Sequence, residues 1–70
     1  MEKYVDKDFI RNLNKFILLK GKRKSVVAKE IGISKQTLSN YLNGKSLPTA
    51  STMQKMCEYF KVEKADFFKA

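Results

Sequence analysis

Three residues, Gly32, Ile33 and Ser34, are all that separate two stretches patterned as short helices. Before them Val27 and Ile31 stand four apart, and after them Leu38 and Tyr41 stand three apart, so each pair shares one helix face. Such a connection dictates geometry, because two helices joined across a three- to four-residue turn cross at roughly 90–120°. Gly32 supplies the positive φ that the turn requires, and Ala28 is small enough for a close crossing. Val27, Ile31, Ile33, Leu38 and Tyr41 fill the wedge between the two helices.

The rest of the chain keeps the helical period. Phe9, Ile10, Leu13, Phe16 and Ile17 form the stripe of a first helix at about 8–19, with Asp6 or Asp8 as its N-cap. "KGKRK" ends it, since cations suit the negative end of the helix dipole and Gly21 takes the left-handed conformation readily. The second helix runs at about 25–31 and the third at about 34–42, capped by Ser34 and closed by Asn43-Gly44. Asn-Gly is also a hairpin signal, but the flanks lack period-2 alternation. Thr49 caps a fourth helix at about 50–60 with Met53, Met56, Cys57 and Phe60 as its core stripe. A last short helix at 64–68 presents Phe67 and Phe68, for core closure or, as the minority use, dimerisation. Nothing reads as a strand. The expectation is one all-α, compact five-helix domain spanning residues 1–70, with a thin core that buries about 60% of the unfolded surface.

Several function classes drop out on composition. With one cysteine and no histidine the chain has no intramolecular disulfide, lacks the usual zinc ligands and cannot assemble a Cys-His pair. Cys57 reads as a small buried hydrophobe. No general base, nucleophile pair or metal cluster can be drawn, so the reading is no enzyme, no cofactor and no small-molecule substrate. The longest apolar run, Phe16 to Leu19, is too short to span a bilayer, and "MEKYVDKD" is not the basic start of a secretory signal. The expected compartment is the cytoplasm. The charge is informative: Lys and Arg number 15 against 7 acids, giving +8. Residues 11 to 45 carry nine of those cations and the single acid Glu30. An excess gathered in one segment points to a polyanionic partner.

Residues 24 to 43 resemble the helix-turn-helix of the lambda-repressor and Cro-like (XRE) family of small DNA-binding regulators. The likeness extends over about residues 6 to 68, through the first helix, "NGKSLP", "TASTMQKMCEYFKV" and the terminal "ADFF". Three features differ from the family pattern. Many relatives carry Thr-Gln where this chain has Arg23 and Lys24, which leaves Ser25 to take over the cap. Lys22 occupies a position that is often apolar. Leu42 stands where many relatives place a Glu paired to an Arg on the first helix, and Ile17 matches that Arg, so an apolar pair is expected instead.

The resemblance implies a sequence-specific double-stranded DNA-binding transcriptional regulator, a phage- or plasmid-type repressor reading the major groove with helix 34–42. With Leu38 and Tyr41 turned inward, Gln36, Ser39, Asn40 and Asn43 fall on the opposite face and Lys35 flanks them. Amide side chains bind adenine N6 and N7 together, and lysine reaches guanine O6 or N7. Lys35, Gln36, Ser39 and Asn40 are therefore the candidate base readers. By resemblance, Lys24, Ser25, Asn43, Lys45 and Ser46 contact phosphate, fixing register without reading sequence. The family also implies a homodimer on a pseudo-palindromic operator, with half-sites about 34 Å apart. Two other readings stay open: a protein-interaction module such as an antitoxin, and a non-specific nucleic-acid binder acting through charge.

Overall fold

The computed structural model describes residues 6–70. The start of "MEKYVDKD", read above as no signal sequence, lies outside the described residues. Helix α1 spans Lys7–Lys20, one residue longer at each end than its apolar stripe suggests. Asp6 is its N-cap and accepts the Phe9 N–H at 2.9 Å, while Gly21 closes it in the left-handed region at φ 71°. Helix α2 spans Lys24–Ile31, and here the expected cap is corrected. Ser25 lies inside the first turn, and Arg23 holds the N-cap position with no side-chain hydrogen bond to the helix. An arginine offers no side-chain acceptor, so the first amides of α2 stay open.

Helix α3 spans Lys35–Leu42 and helix α4 spans Ala50–Phe60. Thr49 caps α4, accepting the Thr52 N–H at 3.3 Å. The helix ends at Lys61, which adopts the left-handed conformation at φ 59° although it is not a glycine. That geometry lets the Val62 N–H reach the Cys57 carbonyl at 3.0 Å and turns Val62 back onto the core. The expected fifth helix is also corrected: Lys64–Phe67 is a single 3-10 turn, leaving four α-helices among the described residues. Its backbone bonds run from the Asp66 N–H to the Glu63 carbonyl and from the Phe68 N–H to the Ala65 carbonyl, the i to i−3 spacing of a 3-10 turn, and the Phe67 and Lys69 carbonyls accept from Asn12 of α1.

The helices enclose one apolar cluster drawn from every element. Phe9, Leu13, Val27, Met56 and Phe67 are fully buried, with Ala28 and Leu38 at 1% exposure. Phe67 sits against Phe9 at a ring separation of 5.6 Å and edge-on to Phe16 at 5.1 Å, and Phe68 stacks on Phe9 at 5.6 Å. These two phenylalanines therefore belong to core closure. Ile17 joins the buried set and Leu42 packs on its edge, so both apolar replacements enter the same cluster. Cys57, expected to be buried, is only half-buried at its margin. Its place in the stripe is flanked by Phe60 and Val62, which cover the cluster only in part.

Among the described residues one polar side chain enters this core. Asn12 is 7% exposed and donates from Nδ2 to the carbonyls of Phe67 and Lys69, both at 2.9 Å. Arg11 adds a second donor to the Lys69 carbonyl at 2.7 Å. Together they sew the C-terminal segment to α1, more than fifty positions away in sequence. Replacing Asn12 by alanine leaves the Phe67 carbonyl buried without this donor, while Arg11 still serves Lys69. The expected loss is about 1–3 kcal/mol of unfolding free energy, read from urea denaturation. A variant as stable as the parent would show that the stitch is dispensable.

Candidate functional site

The turn between α2 and α3 is built on one carbonyl. Gly32 and Ile33 both donate their N–H groups to the Ala28 oxygen at 2.9 Å, a closure that needs Gly32 at φ 99°. Ser34 then starts α3, its Oγ accepting the Thr37 N–H at 3.0 Å. Leu38 and Tyr41 point into the core at 1% and 6% exposure. Burial raises the pKa of the Tyr41 phenol, with a hydrogen bond involving Thr52 of α4 pulling the other way. At its far end α3 closes through Gly44 at φ 75°, with the Lys45 N–H on the Asn40 carbonyl at 2.9 Å.

The opposite face of α3 is polar and linked within itself. Lys35 and Gln36 are exposed, and Ser39 and Asn40 are half-buried on the same side. Gln36 Nε2 donates to Asn40 Oδ1 at 3.0 Å, and Asn43 Nδ2 donates to Ser39 Oγ at 3.2 Å. These i, i+4 links leave Gln36 Oε1, its second amide hydrogen and both Asn40 amide hydrogens available to an outside partner.

The cations expected around this face fall at its two ends. At the start of α3, an open groove of about 950 Å³ runs between α1, the α1–α2 connection and the first turns of α2 and α3. Lys22, Arg23, Lys24, Ser25 and Lys35 line it. Arg23, Lys24 and Lys35 have no carboxylate partner among the described residues. Beyond the other end lie Asn43, Lys45 and Ser46, all exposed. The structure thus brings Lys24 and Ser25 to the same groove as Lys35 and places Asn43, Lys45 and Ser46 past the other end of α3, a helix of eight residues about 12 Å long.

Sequence reasoning gave no role to Glu30, although its isolation among nine cations was a signal. Lys22 Nζ donates to its two carboxylate oxygens at 3.0 and 3.1 Å, and the Tyr59 hydroxyl donates to Oε1 at 2.5 Å. Lys20 Nζ lies 4.3 Å from the centre of the Tyr59 ring. The Tyr59 hydrogen bond and then Lys22 hold the Glu30 carboxyl below the usual carboxylate range. Burial and the Glu30 bond push the Tyr59 phenol up to about 12. Around neutral pH the carboxylate is therefore charged and the phenol is a donor.

No group of three or more metal-ligating side chains occurs among the described residues. No helix there is long and apolar enough to cross a membrane.

The family model described as Helix-turn-helix matches residues 13–67. Among solved structures, the solution structure of the SOS-response transcriptional repressor LexA from Eubacterium rectale is similar at a TM-score of 0.87 and 31% identity. That match covers 99% of this chain and 74% of the other. No curated protein matches the chain.

The Ala28 closure generates a prediction that separates backbone strain from steric clash. A Cβ at Gly32 would meet no atom within 4 Å, so Gly32→Ala carries only the penalty of positive φ. The expected loss of stability is about 1–2 kcal/mol in chemical denaturation. A loss of well over twice that would mean the turn is crowded rather than strained.

Proposed function

The chain belongs to the lambda-repressor and Cro-like (XRE) family of helix-turn-helix DNA-binding regulators, and from that premise we propose that it is a sequence-specific transcriptional repressor of the phage or plasmid kind, which lays α3 in the major groove of an operator. One observation carries the reading: α3 buries Leu38 and Tyr41 and turns a linked Gln36–Asn40 pair outward. Polar residues on an exposed helix need no partner, yet here cations flank the amide face at both ends.

In this reading Gln36 accepts from adenine N6 through Oε1 and donates its second amide hydrogen to N7. Asn40, its oxygen already engaged by Gln36, offers donors to an acceptor on the neighbouring base pair, such as guanine O6 or thymine O4. Lys35 reaches guanine, and Ser39 completes the base-facing set. Lys24, Ser25, Asn43, Lys45 and Ser46 hold the phosphates. The open amides at the start of α2 add donors on the same side as Lys24 and Ser25. Residues 1–70 act as a single domain that pairs as a homodimer on a pseudo-palindromic operator, in the cytoplasm. The sign of regulation follows the LexA neighbour, whose name is that of a repressor.

Selection of duplexes from a random pool, followed by two substitutions, tests the assignment. Gln36→Ala is expected to lose about 1–3 kcal/mol of discrimination at one base position. Lys45→Ala is expected to weaken all duplexes alike and to flatten the salt dependence by about one unit of slope. Equal effects from both would contradict the division between base and phosphate contacts. If the pool yields no enriched duplex, the protein-interaction reading replaces this one.

A further inference from the structure

Glu30 is the one acid between residues 11 and 45, and it sits next to the last residue of α2. The negative end of the helix dipole disfavours a carboxylate there, so its presence calls for outside partners. It has two. Lys22 from the α1–α2 connection reaches both of its oxygens, and Tyr59 from α4 donates to one of them. The Lys22 and Glu30 side chains remain 44% and 38% exposed, and ion pairs so open to water contribute little to stability. The network does more to the direction of charge than to the strength of the fold.

The segment Lys20–Lys24 carries four cations in five residues. Two of them are occupied: Lys22 on Glu30, and Lys20 over the Tyr59 ring. The other two, Arg23 and Lys24, stay without a carboxylate partner among the described residues and line the groove beside Lys35. Lys22 lines that same groove, within reach of whatever polyanion lies along it. A free lysine there would bind phosphate on any duplex, because such contacts carry no sequence information.

We propose that Glu30 is a specificity-determining residue of the DNA interface that acts by withholding Lys22 from phosphate, keeping the affinity for unselected duplex low. This rests on the DNA-binding reading of the groove and adds to it a residue that itself touches no DNA. The tether acts most on non-specific complexes. In those no base contact fixes register, and a mobile lysine finds a phosphate in any alignment.

The test is fluorescence anisotropy with the full chain and a labelled random-sequence duplex over a series of salt concentrations. Glu30→Gln is expected to bind that duplex about 3- to 10-fold more tightly at low salt and to steepen the plot of log affinity against log salt by about 0.9, one added phosphate contact. Lys22→Gln alone is expected to leave the slope unchanged, and Glu30→Gln with Lys22→Gln to restore the parental slope. Glu58→Gln, which removes an equal charge from α4, controls for net charge and is expected to leave the slope as it was. Thermal melting confirms that each variant is folded. The proposal is overturned if Glu30→Gln keeps the parental slope, if its gain survives loss of Lys22, if Lys22→Gln alone flattens the slope, or if Glu58→Gln does the same as Glu30→Gln. Failure of the unaltered chain to bind any duplex would sink the DNA reading as well, and is distinguishable because it appears before any substitution is made.

Discussion

The crossing of α2 and α3 rests on the Ala28 carbonyl, which takes the N–H groups of both Gly32 and Ile33 at 2.9 Å. That double closure reverses the chain within three residues and brings Val27, Ala28 and Ile31 against Leu38 and Tyr41. Eight residues are too few for α3 to hold its shape in water by propensity alone. It is a helix because Ser34 caps it and because its apolar side is held in the wedge. The direction in which Gln36 and Asn40 face is thus a consequence of packing. A change at Ala28 or Leu38 would be felt at the amide face without touching it.

What was legible in the sequence is what depends on near neighbours. The apolar stripes, the three glycine stops and the Ser34 and Thr49 caps all involve residues within four positions of each other, where the helical period applies directly. The outward set on α3 followed from the same arithmetic, since placing Leu38 and Tyr41 inside leaves Gln36, Ser39, Asn40 and Asn43 no other side. Contacts between distant parts were not legible. Asn12 stands three after Phe9 and four before Phe16, so a polar residue on the apolar face was visible, but its partners at Phe67 and Lys69 were not. Glu30 was conspicuous, yet nothing local points to Tyr59, 29 positions away. Ser25 looked like a cap by residue type, and the helix starts one residue before it because the extended backbone at Arg23 sets the boundary. The last segment has helix-compatible composition, yet it makes one 3-10 turn and then meets Asn12 of α1 through the Phe67 carbonyl, a contact 55 positions away that no local pattern announces.

The links along α3 trade capacity for order. By donating to Asn40, Gln36 gives up one of its two amide hydrogens and Asn40 gives up its oxygen. In return both side chains are held in place before any partner arrives, whereas fixing a free side chain on binding costs about 0.5–1.5 kcal/mol each. The hydrogen-bonding pattern left over is also narrower than that of two independent amides. In the proposed role as base readers, a pair so arranged would match fewer base edges than two free amides, which favours discrimination over raw affinity.

The placement of charge follows the same preference. Two of the acids pair with nearby cations at the end of the molecule where the C-terminal segment meets α1, Asp8 with Arg11 at 2.9 Å and Asp66 with Lys69 at 2.8 Å. The cations without carboxylate partners among the described residues include Arg23, Lys24, Lys35 and Lys45, which lie about the two ends of α3. An asymmetric field of this kind orients a small protein on a polyanion before any base is touched. Left unchecked it would also hold the protein on every duplex alike, since attraction to phosphate grows with each available cation. Glu30 lies where that difficulty arises, on the same helix as Lys24 and in contact with Lys22. A single carboxylate there removes one cation from the competition while leaving the orienting field in place, which a lower overall charge would not do.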